Sequence, residues 1–179
     1  MLEGKNVNLR VREREDLSLI AEWVNNPAFL GEYNSLPQIS ETELEKDYEK
    51  KSFELMDFIV EKKDGSGIGF ICHFTLMHPA GRRLEIGYSL VPSERGKGYG
   101  TEAVRIMVDY LFLSRDTMRI QACTDTRNLA SQRALEKAGF KKEGIIRKSG
   151  FCRGEWVDDY QYSILRDEWK EPKILTRTT

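Results

Sequence analysis

The first alternating run of apolar and polar residues covers residues 6–12 and predicts a β-strand. The next run, residues 17–24, carries its apolar side chains at helical spacing and predicts a helix. Asp16 is expected to cap the start of this helix. Pro27 is expected to end it, because proline disfavours the helical conformation in the residue before it.

A second helix and a β-hairpin are predicted next. Ser40 and Glu43 have the spacing of a capping box, which predicts a helix from there to about residue 51. Residues 56–61 and 68–76 alternate as two strands. The glycines between these strands supply positions for the positive φ that a hairpin turn needs.

A further strand, residues 84–90, carries Glu85 on its polar side. The glycine-rich stretch RGKGYG, residues 95–100, follows at once and opens the longest predicted helix. The buried stripe of that helix is predicted to consist of Val104, Met107, Val108, Leu111 and Phe112.

The last part of the chain predicts a strand over residues 117–124 and a short helix that is capped by Asn128 and ended by Gly139. Two final strands are expected over residues 142–147 and 156–165. Local strand pairing in the first half, with helices between strands in the second, predicts a mixed α/β domain around one central sheet.

One domain accounts for the length of 179 residues, of which 40% are hydrophobic and 32% charged. We place this domain over residues 1–170 and expect residues 171–179 to form a flexible polar tail. No apolar run approaches the ~20 residues that span a bilayer. The N-terminus has no apolar signal core. Three distant cysteines without a CxxC pair argue against a disulfide framework or a metal site, and a cytoplasmic location is expected.

Charge is distributed unevenly along the chain. Residues 13–61 contain 13 acidic and 4 basic residues, whereas residues 82–153 contain 15 basic and 8 acidic residues. A basic half could attract phosphates and an acidic half a cationic partner. Solvated helix faces explain the same counts. The bases are interleaved with acids, so a nucleic acid is not expected as a partner. A membrane is not expected either, because no apolar run is long enough to span a bilayer.

The RGKGYG stretch has the composition of an anion site. Glycines allow the main chain to approach a ligand closely, and the start of the following helix adds partial positive charge. With the charges of Arg95 and Lys97, the stretch is expected to hold a pyrophosphate. It lacks the GxxxxGK[ST] pattern of P-loop proteins. It fits G-x-G-x-x-A through Gly98, Gly100 and Ala103, but only 79 residues follow Gly100, too few for a two-halved dinucleotide fold.

Two motifs in this order resemble the GNAT superfamily of N-acetyltransferases, in particular its branch containing RimJ and RimL. The cofactor-loop pattern Arg/Gln-x-x-Gly-x-Gly/Ala is met at Arg95, Gly98 and Gly100, and the N-x-x-S pattern at Asn128 and Ser131. A K-x-G-F pattern follows at residues 137–140. The resemblance covers nearly the whole chain and implies the fold of this superfamily, a mixed sheet of six to seven strands flanked by about four helices.

The resemblance also implies acetyl-CoA as cosubstrate and direct transfer of its acetyl group to a primary amine. The diphosphate would lie on the main-chain amides of the glycine loop, and the pantetheine arm would pair with the strand before it. The residues expected to bind the cofactor are Tyr88, Leu90, Val91, Arg95, Gly96, Lys97, Gly98, Tyr99, Gly100, Thr101 and Asn128.

Two catalytic residues follow from the resemblance. Glu85 matches a glutamate that serves as general base in several members; the alternative is a carboxylate paired with Arg82 or Arg83 or simply solvated. Ser131 matches a serine proposed to protonate the leaving thiolate; the alternative is a helix-start residue that bonds the main chain. Many relatives have a tyrosine further along this helix, where this chain has Leu135.

The segment between the first two helices lines the acceptor site in this superfamily. Here Phe29, Tyr33 and Leu36 are expected to form an apolar wall, and Glu32 to meet a cation, so Glu32 and Tyr33 are the expected substrate-binding residues. A protein N-terminus, a polyamine or an aminoglycoside would fit. A CoA-binding module without catalysis and a dinucleotide-dependent oxidoreductase remain as alternatives. A monomer and a homodimer are both left open.

Overall fold

The computed structural model describes residues 1–50, 55–78 and 81–175. Its strands and helices follow one another much as the hydrophobic pattern predicts. In this part of the chain there are eight strands and five helices. They are β1 (Leu2–Glu3), β2 (Val7–Val11), α1 (Leu17–Asn25), α2 (Pro27–Leu30), α3 (Glu41–Glu49), β3 (Leu55–Lys62), β4 (Gly67–His78), β5 (Gly81–Leu90), α4 (Tyr99–Ser114), β6 (Arg119–Asp125), α5 (Leu129–Lys137), β7 (Lys141–Cys152) and β8 (Glu155–Leu165).

All described strands join one sheet in the order β1-β2-β3-β4-β5-β6-β8-β7. Neighbouring strands are antiparallel except for β5 and β6, which run parallel. The β5–β6 register contains only the pairs Leu84–Ile120 and Glu85–Gln121. Beyond this point β5 continues beside β4 as far as Leu90, and β6 continues beside β8 as far as Asp125. The two parallel strands therefore separate towards their C-terminal ends.

Both faces of the sheet are covered, because neighbouring strand residues point to opposite sides. On one face Ile71 and Ile120 belong to the larger apolar cluster, which contains the buried stripe of α4. On the other face Ile59 and Phe70 meet the smaller cluster, formed with α1, α2 and α3. Phe29 of α2 is 1% exposed and stacks on Trp23, so it is a core residue rather than part of an acceptor wall as expected.

The predicted mixed α/β class is confirmed, with local differences. The sheet has eight strands rather than six or seven, because the short β1 pairs with β2. The Ser40–Glu43 capping box is present. Asp16 does not cap α1: its carboxylate instead accepts hydrogen bonds from Arg10 (2.8 and 2.9 Å) and the Glu13 amide (2.7 Å). A guanidinium nearby offers a stronger partner than a helix-start amide.

The C-terminal segment contacts the buried Asp109 of α4. The Asp109 carboxylate accepts hydrogen bonds from the indole of Trp169 (2.8 Å) and from the main-chain amides of residues 173–175 (2.7 to 3.0 Å). The domain limits 1–170 and the flexible tail 171–179 stay predictions, and residues 176–179 lie outside the described part of the chain.

Candidate active site

The loop between β5 and α4 presents main-chain amides at the open end of the parallel strand pair. Gly96 and Gly98 have φ values of 76° and 89°, which glycine adopts without the steric cost that other residues meet. Gly98 is the N-cap of α4, and the first helical hydrogen bond runs from the Glu102 amide to the Gly98 carbonyl (3.1 Å). The N–H groups of residues 98–101 precede this bond, so they and the helix dipole are available to an anion.

The charged side chains of this loop are engaged elsewhere. Arg95 donates from Nε to the Leu90 carbonyl (2.9 Å) and from Nη2 to the Phe29 carbonyl, which fastens the loop to α2. Burial lowers the pKa of Arg95. Lys97 pairs with Glu94 at 2.9 Å. In this structure Arg95 thus contacts main-chain carbonyls and Lys97 forms an ion pair. Their predicted contribution of charge to the anion site stays a prediction.

A pair of hydroxyl groups spans the gap where β5 and β6 separate. Tyr88 Oη lies 3.2 Å from Ser131 Oγ, and either group can donate. Burial raises the pKa of the Tyr88 phenol. The Asn128 side chain caps α5 by accepting a hydrogen bond from the Ser131 amide (3.1 Å), as predicted. Its contact with a ligand stays a prediction.

The side chain of Tyr88 is a functional candidate that the sequence reasoning missed, because Tyr88 was expected to contribute only its main chain. Leu135, which stands where many relatives have a tyrosine, is 1% exposed in the core. A phenol therefore reaches Ser131 from β5 rather than from α5. The alternation along β5 predicts the direction of Tyr88, but its partner depends on the position of α5 over the sheet.

Glu85 accepts a hydrogen bond at 2.7 Å from the Gln121 amide nitrogen, on the sheet face opposite the α4 side. Gln121 Oε1 in turn faces Gln161 Nε2 and Arg119 Nε, each at 3.4 Å. Since Arg119 can only donate, the Gln121 oxygen points to Arg119 and its NH₂ group points to Glu85.

Gln121 is the second residue that sequence reasoning missed. It lies 36 residues after Glu85, and only the parallel register of β5 and β6 brings the two side chains together. Of the alternative partners considered for Glu85, the Arg82 side chain lies outside the described residues. Arg83 lies near Glu143, where its charge contributes to a lowered Glu143 pKa, behind the larger effect of Arg119.

The predicted acceptor segment lies against the β7–β8 turn. Arg153 donates to the carbonyls of Gly31 (2.7 Å) and Asn34 (3.3 Å), which holds the segment in place. A hydrogen bond to the Glu32 carboxylate raises the pKa of the Tyr33 phenol. Glu32 and Tyr33 thus contact each other, and their binding of an acceptor stays a prediction. The expected apolar wall is not formed, because Phe29 is buried and Leu36 is exposed.

Three carboxylates and one guanidinium surround the ring of Tyr33. The Arg127 guanidinium lies 5.8 Å from the centre of that ring and pairs with Asp125 (2.7 Å) and Glu155 (2.5 Å). The hydrogen bond from Arg127 lowers the pKa of Asp125, so this carboxylate stays ionised over a wider pH range. With Glu32 the group carries more negative than positive charge, which favours a cation.

Comparison with known proteins identifies the family. The profile of the acetyltransferase (GNAT) domain matches residues 6–141, about three quarters of the chain. The chain therefore belongs to the GNAT acetyltransferase family. The branch containing RimJ and RimL stays a prediction.

Individual relatives agree with this membership. A probable N-acetyltransferase of Bacillus subtilis (strain 168), YjcK, is 43% identical over 110 residues, which cover 62% of this chain and 61% of YjcK. A spermidine N(1)-acetyltransferase of Escherichia coli (strain K12) is 26% identical over 171 residues, covering 94% and 91% of the two chains. The crystal structure of spermidine N-acetyltransferase from Vibrio cholerae in complex with CoA and spermine superposes with a TM-score of 0.83 at 25% identity and covers 93% of this chain and 99% of that chain.

The described residues show neither a metal-binding group of side chains nor a membrane-spanning helix. Residues 1–50, 55–78 and 81–175 contain no group of three or more His, Cys, Asp or Glu side chains that could hold a metal ion. Among the helices of the same residues, none has both the length and the apolar character that crossing a lipid bilayer requires.

Proposed function

We propose that this chain transfers the acetyl group of acetyl-CoA to a primary amine of a cationic acceptor in a ternary complex. One observation carries the proposal: the parallel strands β5 and β6 separate after Glu85, and the gap has helix-start amides at its end and the Tyr88–Ser131 hydroxyl pair across it. Membership of the GNAT family supports the same conclusion.

The residues of the gap fit the cosubstrate. The amides from Gly98 to Thr101 would hold its diphosphate, as helix starts commonly do. Successive residues of a strand direct their main-chain groups to alternate sides, and β4 occupies only one side of β5. The other side of β5 beyond Glu85 is therefore open to the amides of a pantetheine arm, although the Leu90 carbonyl already accepts a hydrogen bond from Arg95. A main-chain N–H of β5 directed at the thioester oxygen would stabilise negative charge on that oxygen.

Glu85 would act as the general base. An alkylammonium with a pKa of ~10 must lose a proton before its nitrogen can attack, and an ionised carboxylate accepts that proton directly or through water. The nitrogen–carbon bond then forms, the carbon–sulfur bond breaks, the nitrogen releases one further proton to solvent, and the leaving thiolate takes a proton. The Tyr88–Ser131 pair, with its hydroxyl groups 3.2 Å apart, would supply that proton.

The acceptor would be a cation, in particular a polyamine. The carboxylates around Tyr33 favour positive charge, and the E. coli and V. cholerae relatives act on spermidine. A protein N-terminus is a second candidate, which rests on the RimJ and RimL resemblance alone. A cytoplasmic location fits either acceptor and belongs to the same proposal.

The decisive experiment measures thiol release from acetyl-CoA with spermidine, spermine, an aminoglycoside and a peptide N-terminus as acceptors. We expect turnover with the polyamines and at least tenfold less with an acidic peptide. The matched control is Glu85→Gln, which keeps the size of the side chain and removes the base. Binding of acetyl-CoA without turnover on any amine would contradict catalysis and favour a CoA-binding module.

A further inference from the structure

On the sheet face that carries Glu85, Asp159 of β8 presents a second carboxylate. Asp159 pairs with Asp125 in the antiparallel register of β6 and β8. Alternate residues of a strand share one side, and directly paired residues of neighbouring strands share a face of the sheet. Asp125 therefore lies on the same side as Gln121, which pairs with Glu85, and Asp159 lies on that side as well.

Asp159 differs from its neighbour Asp125 in lacking a cationic partner. Asp125 is buried and pairs with Arg127 at 2.7 Å. Asp159 and Glu85 are half-buried, and neither of them forms an ion pair with any residue in the ranges 1–50, 55–78 and 81–175. These two carboxylates therefore keep their negative charge for a ligand on this face.

A bulge in β7 holds the Asp159 side chain in place. The register of β7 and β8 shifts between Ile146 and Gly150, and Ser149 lies inside this bulge. Ser149 donates a hydrogen bond from Oγ to Asp159 Oδ2 at 2.7 Å. Bulges next to active sites re-aim side chains. Here the hydroxyl fixes one oxygen of the carboxylate without compensating its charge.

The surface between the two carboxylates is uncharged. Cys123 lies there on β6, and Gly87, the next residue on the Glu85 side of β5, contributes no side chain. Burial, followed by the charges of Glu85 and Asp159, raises the pKa of the Cys123 thiol to about 12, so the thiol is neutral near pH 7. An uncharged surface between two anions fits a ligand whose cationic nitrogens are joined by methylene groups.

The separation of the two carboxylates favours a long acceptor. Asp159 lies two strands and four residues from Glu85. At ~4.8 Å per strand and ~3.3 Å per residue, their Cα atoms are roughly 16 Å apart. After the reach of both side chains, a distance remains that a polyamine spans and a short monoamine does not.

Resting on the function proposed above, we propose that Asp159 determines acceptor specificity by binding the distal ammonium of a polyamine. Glu85 meanwhile faces the nitrogen that reacts. Asp159 thus takes no part in the chemical step, and its contribution belongs to the KM of acceptors that carry a second charge.

Steady-state kinetics with spermidine and n-butylamine as acceptors, at saturating acetyl-CoA, tests the proposal. Asp159→Asn should raise the KM for spermidine about five- to tenfold, with kcat within twofold, because the variant keeps the shape and loses the charge. The KM for n-butylamine, which has a single nitrogen, should stay within twofold. The matched control is Asp167→Asn, which removes the same charge from an exposed position after β8.

The outcomes separate this proposal from the proposed function. An unchanged KM for spermidine in Asp159→Asn, an equal rise for both amines, or the same rise in Asp167→Asn would overturn the role of Asp159. Faster turnover of a peptide N-terminus than of spermidine by the wild-type protein would also overturn it. Each of these results leaves the acetyltransferase proposal standing, whereas absence of acetylation with every amine would remove the proposed function itself.

Discussion

The phosphate-binding loop and the acceptor side are built from different parts of the protein. The loop is one contiguous stretch, residues 95–101, and it offers main-chain amides. The acceptor side consists of side chains from separate segments, residues 31–34, 125–127 and 153–155, joined by hydrogen bonds and ion pairs. If the proposed function is correct, coenzyme recognition depends on backbone conformation, whereas acceptor recognition depends on charge. Substitutions on the two sides should fail in different ways, and the following predictions test that difference.

The largest effect is expected at Glu85, where a substitution should impair the chemical step rather than the binding of acetyl-CoA. Glu85→Gln should lower kcat/KM for the amine about a hundredfold, because the variant cannot accept the ammonium proton. The KM for acetyl-CoA should stay within twofold. Steady-state kinetics with both substrates varied measures this, and an unchanged pH profile would exclude Glu85 as the base.

The second-largest effect is expected at Gly98, whose backbone conformation orients the amides of the loop. Gly98→Val should weaken CoA binding roughly five- to thirtyfold, because a left-handed conformation costs ~1–2 kcal/mol for residues other than glycine. Nothing lies within 4 Å of a Cβ atom on Gly98, so this cost is conformational rather than steric.

The matched variant for the loop is Lys97→Gln. Its side chain already pairs with Glu94, so CoA affinity by calorimetry should change less than twofold. If Lys97→Gln lost as much affinity as Gly98→Val, the side chains and not the amides would bind the diphosphate.

A smaller effect is expected at Gln121, which positions Glu85 without touching the substrate. Gln121→Leu removes a 2.7 Å hydrogen bond to the ionised carboxylate and should lower kcat/KM about fivefold. The loss should lie in kcat rather than in the KM for acetyl-CoA. Gln121→Asn, which keeps an amide, should recover part of the activity. An equal loss in Gln121→Asn and Gln121→Leu would indicate packing alone.

The smallest effect is expected at the exposed Glu32. Glu32→Gln should raise the KM for a polyamine about two- to fivefold, because one attractive charge is lost near the acceptor. The difference should shrink at high ionic strength, where exposed charges are screened. Glu41→Gln on α3 serves as the control, and an equal rise of KM in both variants would show that only net charge matters.

The same contrast explains how much the sequence predicts. The loop was predictable because its glycines, its helix start and its position after β5 are all local features. The contact of the Arg95 side chain was not predictable, because its partner Phe29 lies 66 residues earlier in the chain. The Glu85–Gln121 bond depends on strand register, and the Arg153 contact with Gly31 spans 122 residues. Local patterns fix secondary structure, whereas these contacts follow from how the elements pack.

The short parallel pairing of β5 with β6 at Leu84 and Glu85 affects the stability of the sheet. In the sheet, only two residue pairs join strands β1 to β5 to the other three strands, β6, β8 and β7. A ligand that pairs with β5 inside the gap would add main-chain hydrogen bonds where β5 and β6 do not pair. Binding would then raise the melting temperature as the ligand's concentration exceeds its Kd, and amide exchange around residues 86–90 would slow.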